Sequence, residues 1–163
     1  MNAKETIKQS MDLALNVLGG LLDDLSDDEL LIRPAGKANH IAWQLGHLIS
    51  SERQLTEGVC PGSCPELPEG FADAHGKEQA ASDSREGFLT KREYVDLYQK
   101  QRAATLKALD ALPDADLDNE ATEFIRQICP NVAGVFALQS AHQMWHIGQL
   151  TVLRRQLGKP VVF

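Results

Sequence analysis

The stretch Ser140-Ala-His-Gln-Met-Trp-His-Ile-Gly-Gln-Leu150 places two histidines, His142 and His146, four residues apart inside a long helical pattern. An α-helix advances about 100° per residue, so positions i and i+4 share a face and both imidazoles can address one ion between helices. Val135, Leu138, Leu153 and Leu157 follow the same rhythm, which sets the pair within an apolar stripe. Two neutral rings in such a seam need partners, because an unsatisfied buried polar group costs about 1–3 kcal/mol. A divalent ion would satisfy both rings; hydrogen bonds within an ordinary core are the alternative.

This helix is expected to begin near Pro130, whose missing amide is harmless in a first turn, and to stop at Gly158 with Pro160 beyond. Working back, Thr90-Lys-Arg-Glu93 is a capping box that opens a helix running to about Leu112, before Pro113. Asn39 is the expected N-cap of a helix over residues 40–57, with Gly58 as its stop. Ile7, Met11, Leu15, Leu18 and Leu22 mark an amphipathic helix over residues 3–24. Ser26-Asp-Asp-Glu29 is a further capping box, cut short by Pro34 and Gly36. Residues 59–89 are rich in Pro, Gly, Ser and acidic side chains and carry no period, so they read as a long crossover, either a functional lid or a disordered segment. Apart from a short Val161-Val-Phe163 tail there is no strand signal. The expected fold is all-α: a four-helix bundle with a long crossover between helices 2 and 3, forming one domain over residues 1–163.

Composition narrows the function. A net charge of −7, from 16 basic and 23 acidic residues without a basic cluster, argues against a nucleic-acid surface. No apolar run is long enough for a membrane span and Met1-Asn-Ala-Lys-Glu-Thr-Ile7 lacks the apolar core of a secretory signal, so a cytoplasmic location is expected. Three cysteines, an odd count, suit a reducing compartment. Cys60 and Cys64 flank Pro61-Gly-Ser63; a zinc ribbon would need a second cysteine pair, and ordinary loop thiols are the simpler reading.

A catalytic ion of the zinc type takes three protein ligands and keeps a position open, so the pair needs a third. His47 lies mid-helix, at a level that can face the centre of the last helix. His40 is two turns away, about 10 Å along the axis, and suits a polar residue at a helix start. His75, between Ala74 and Gly76 in the crossover, is expected to be solvent-exposed. Glu52 interrupts the series Ile41, Leu45, Leu48, Leu55, so it is a candidate for orienting a ligand or acting as a base, or else a member of an ion pair. Gln44, Gln139 and Gln149 can supply hydrogen bonds around the site, and Trp43 and Trp145 either pack in the core or wall a pocket. Gly46 and Gly148 adjoin or neighbour proposed ligands in helix interiors, where Gly costs about 1 kcal/mol against Ala; close approach of a helix or substrate would explain them.

Trp43-Gln-Leu-Gly-His47, a long crossover, then His142-x-x-x-His146-Ile-Gly-Gln149-Leu together resemble the DinB/YfiT-like superfamily over nearly the whole chain. The resemblance implies a four-helix bundle, usually a homodimer, holding a divalent metal through His47, His142 and His146. It further implies kinship with thiol S-transferases that use bacillithiol, mycothiol or similar thiols and with mycothiol-dependent maleylpyruvate isomerase; many members have no established activity. Gln143 stands where a His-Glu-x-x-His zinc protease carries its general base, which disfavours a protease. The expected function is therefore a metal-dependent S-transferase joining a small-molecule thiol to an electrophile, with zinc or nickel as the ion. Metal-assisted hydrolysis and a non-catalytic, metal-stabilised bundle or protein-interaction module are the alternatives.

Overall fold

The computed structural model describes residues 2–36 and 38–162. Asn2 caps the first helix, α1 (Ala3–Leu22), by accepting from the amide of Glu5, whose carboxylate in turn accepts from the amide of Asn2. The Ser26–Glu29 box forms as expected and opens a single 3-10 turn, Glu29–Leu31. The chain then bends at Ala35 and Gly36, both with positive φ.

The second helix, α2 (Ile41–Val59), is capped by His40 instead of Asn39: the His40 ring Nδ1 accepts from the amide of Trp43 at 3.1 Å. The Asn39 carbonyl is occupied by the side-chain amide of Gln44. Gly58 does not stop this helix, which runs to Val59 and closes when the Cys60 amide donates to Thr56 O at 2.7 Å. Thr90 and Glu93 form the expected capping box of α4 (Lys91–Ala111). The last helix, α5 (Val132–Gln156), starts two residues beyond Pro130 because Asn131 caps it through Gly134 N. Val161 and Val162 are not in a strand, and Phe163 lies outside the described residues.

The crossover is folded onto the bundle. It contains a one-turn helix, α3 (Phe71–Ala74), and a 3-10 turn, Lys77–Gln79. His75 corrects the expectation of exposure: it is only 1% exposed. Its Nδ1–H donates to Phe71 O and its Nε2 accepts from the Tyr94 hydroxyl, each at 2.7 Å. The polar composition of the segment concealed Phe71 and His75, which share one helical turn and both bury.

Each long helix has two long neighbours: α1 lies beside α5 and α4, and α2 beside α4 and α5. At one end the core is built from residues such as Leu18, Leu45, Ile49, Tyr94, Tyr98, Leu150 and Leu153. At the other end Leu109, Leu117, Val132 and Phe136 pack together, beside a group formed by Leu55, Ile125, Cys129 and Val135. A polar layer separates the two ends. Arg102 of α4 donates to both oxygens of Glu52 of α2 at 2.8 Å, to Met11 O of α1 at 2.6 Å and to Gln143 Oε1 of α5 at 2.8 Å. One guanidinium, 1% exposed, thus ties four helices together. Among the described residues no helix is long and apolar enough to cross a membrane.

Removing one partner of a buried ion pair leaves an uncompensated charge and costs about 3–5 kcal/mol. Arg102→Ala is expected to lower unfolding free energy by that amount in urea titrations, and Arg102→Met with Glu52→Leu to recover part of it. A loss below about 1 kcal/mol for the single variant would count against this role.

Candidate metal centre

Because α2 and α5 are neighbours, His47 faces His142 and His146 across their seam. One ligand nitrogen from each ring lies within 4.8 Å of the others. The Nε2 atoms of His142 and His146 are 3.2 Å apart. Two nitrogens bound tetrahedrally at about 2.0–2.1 Å from one ion stand about 3.3–3.4 Å apart, so the pair is already at ligand spacing. Among the described residues this is the one group of three or more His, Cys, Asp or Glu arranged to hold a metal ion. The residues present therefore fit a divalent metal.

Neighbours orient the rings. His146 Nδ1–H donates to Gln44 Oε1 at 2.8 Å, while the amide nitrogen of Gln44 is held by Asn39 O. That fixes the Gln44 amide and the His146 tautomer, aiming the His146 Nε2 lone pair at the space it shares with His142 Nε2. Trp43 stacks on His47 with ring centroids 4.8 Å apart and planes 9° from parallel. Its indole N–H donates to Gly76 O at 3.0 Å, so the crossover is tied to the residue that backs a candidate ligand.

Burial, reinforced by the neighbouring rings and, at His47, by the Lys77 cation, depresses His47 to about 4 and His146 to about 3. His142 is also pulled down by burial, against an opposing upward pull from Glu52. All three rings are consequently neutral at pH 7, the state in which imidazole can ligate a metal.

Other expected participants are placed differently. Glu52 stands in the ion-pair alternative, with both oxygens accepting from Arg102, and is 2% exposed. Gln143 points to Arg102 and Gln139 is buried, while Gln149 is half-buried and makes no hydrogen bond to the histidines. Trp43 is buried; Trp145 is 74% exposed, which excludes it from the core. Gly46 is explained by close approach, but of His75: an added Cβ would lie 2.0 Å from the His75 ring. Gly148 has no neighbour within 4 Å of such a Cβ, so close approach does not account for it. Cys60 and Cys64 are free thiols, their pKa values pushed up by burial, and the Cys64 sulfur accepts from Gln101 Nε2 at 3.1 Å.

Two clefts meet at His47. The first, about 460 Å³, also touches His142 and is walled by Phe124, Ile128, Leu138 and Trp145. The second, about 520 Å³, runs under the crossover and is lined by polar residues including Ser50, Ser51 and Gln54. Lys77 lines both. Phe124, Ile128, Lys77 and Arg102 were not singled out from the sequence. Only Arg102 carried a signal, since it falls in the stripe Tyr94, Tyr98, Thr105, Leu109 of α4.

Comparison with known families agrees with this architecture. The chain belongs to the DinB superfamily, whose family model matches residues 11–150. A search of curated proteins finds no match.

The depressed histidines carry a sign. Below the ordinary value of 6.5 the unfolded chain takes up protons that the folded chain refuses at His47 and His146. Their contribution is thus fully present above pH 6.5 and is lost as pH falls toward 4 and then 3. In metal-free protein the urea midpoint is expected to drop between about pH 6.5 and about pH 4.5, and His146→Gln, which cannot titrate, to flatten that slope. An unchanged slope in the variant would show that the ring is not held neutral.

Proposed function

We propose that this DinB-superfamily protein binds zinc or nickel through His47, His142 and His146 and conjugates a low-molecular-weight thiol to an electrophile. Support comes chiefly from the convergence of three neutral imidazoles beside an apolar cleft of about 460 Å³. No fourth His, Cys, Asp or Glu joins the group among the described residues, as suits an ion that keeps a position for substrate. A bound divalent ion would lower the pKa of a coordinated thiol and supply thiolate at neutral pH. Gln44 holds His146 in the ligating tautomer, and Trp43 backs His47. Phe124, Ile128 and Trp145 offer apolar surface along the cleft that His47 and His142 line. Glu52 has no part in this chemistry, since Arg102 occupies both its oxygens. Free thiols at Cys60, Cys64 and Cys129 agree with a cytoplasmic setting.

The same α5 presents Ala141, Trp145, Gly148 and Val152 to solvent, spaced four, three and four residues apart, with Trp145 74% and Val152 46% exposed. This is the spacing of a helix-packing seam, and two copies can cover it symmetrically. A homodimer through α5 follows as part of the proposal.

Tag-free protein is expected to carry about one equivalent of metal by elemental analysis, as one three-ligand site per chain requires. The His47→Ala/His142→Ala/His146→Ala variant should lose it, together with metal-stimulated conjugation across a panel of thiols and electrophiles. Full metal retention by the triple variant would remove the site; hydrolysis of the panel without conjugation would make water the nucleophile.

Light scattering on wild type should report a dimer, and Trp145→Glu should yield folded monomer. A monomeric wild type at micromolar concentration would refute the α5 seam.

A further inference from the structure

Two contacts pin the crossover to α2 beside the candidate metal centre. The His75 ring occupies the notch left by Gly46, where even a methyl group would lie 2.0 Å from it. One residue on, Gly76 O accepts from the Trp43 indole at 3.0 Å. The next residue is Lys77, which opens the 3-10 turn Lys77–Gln79. Its position is therefore set by an anchored backbone, even though its side chain is exposed.

Lys77 is the one charged residue that lines both clefts meeting at His47. Among the described residues its ammonium has neither an ion-pair partner nor a hydrogen bond. The other charges of the polar cleft are committed: Arg53 donates to Pro65 O and Glu66, and Glu57 accepts from the amides of Gly62 and Cys64. Ser50 lines the same cleft with its hydroxyl buried and without a partner. An exposed ammonium lining both clefts, with no partner of its own among the described residues, offers an anionic group on a ligand a pairing of surface strength.

We propose that Lys77 recognises a carboxylate on the molecule that occupies this site. The substrate is then an organic acid whose carboxylate pairs with Lys77. Its apolar part lies along Phe124, Ile128 and Trp145, and its donor atom is directed at the three histidines. Only this last feature rests on the proposed thiol chemistry; recognition of the acid by Lys77 does not require the metal.

The test separates the two. Metal-free wild type, Lys77→Gln and Lys77→Arg are titrated with 3-phenylpropanoate and with 3-phenylpropanamide, followed by tryptophan fluorescence and by amide shifts of residues lining the clefts. Wild type is expected to bind the acid about fivefold more tightly than the amide, as an ion pair worth about 1 kcal/mol would give, with the preference shrinking as salt rises. Lys77→Gln should lose the preference without weakening the amide, and Lys77→Arg should keep it. Cobalt-loaded protein is then titrated with 3-mercaptopropanoate and 3-mercaptopropanamide, read by thiolate-to-cobalt absorption, where the same Lys77-dependent preference is expected. Equal binding of acid and amide, a preference that survives in Lys77→Gln, or no carboxylate-dependent binding in either form of the protein overturns the proposal. Failure to take up cobalt or bind thiol, with the acid preference of metal-free protein intact, removes the metal–thiol chemistry and leaves Lys77 as an acid-recognition residue.

Discussion

The bundle depends on one buried guanidinium. Arg102 sits between two apolar ends of the core and places its donors on α1, α2 and α5 at once. Taking an arginine and a glutamate out of water costs several kcal/mol per ion, and only a bidentate pair with its remaining donors satisfied offsets that cost. Glu52, Met11 O and Gln143 meet this condition together. Each partner comes from a different helix, so the helices cannot slide or rotate independently without stranding a charge.

That constraint reaches the candidate metal centre through sequence adjacency. Gln143 follows His142 directly, so turning Gln143 inward to Arg102 turns His142 and His146 toward the seam with α2. Glu52 lies on the same helix as His47, five residues on, and its pairing with Arg102 sets how α2 presents that ring. The group of neutral imidazoles is thus positioned by a charged layer that does not join it. The amide at position 143, where a zinc protease would carry a catalytic glutamate, has a structural use: its oxygen accepts from Arg102.

The crossover supplies the rest. His75 fills the space beside Gly46, Gly76 bonds Trp43, and Trp43 stacks on His47, so a segment without periodicity is tied to the site at consecutive residues. Lys77 is delivered by that tie. The site therefore has an apolar side formed largely by α5 and the chain leading into it, and a polar side formed by α2 and the crossover.

Features that depend on neighbours within a few residues are legible in the chain alone. The 3.6-residue periodicities showed the four long helices, the Ser26 and Thr90 boxes marked two helical starts, and the i, i+4 spacing put His142 and His146 on one face. Helix ends were read to within about two residues, since a cap such as His40 or Asn131 competes with adjacent candidates of similar local preference. Which distant groups meet is settled by the docking of the helices. Glu52 could have been a base or an ion-pair partner until Arg102, fifty residues away, was seen to hold it. His75 reads as an exposed loop residue until Gly46 and Tyr94 enclose it. Burial and partnership across such distances are set by how helices dock, and helix docking depends on all the packed faces together, which no local pattern encodes.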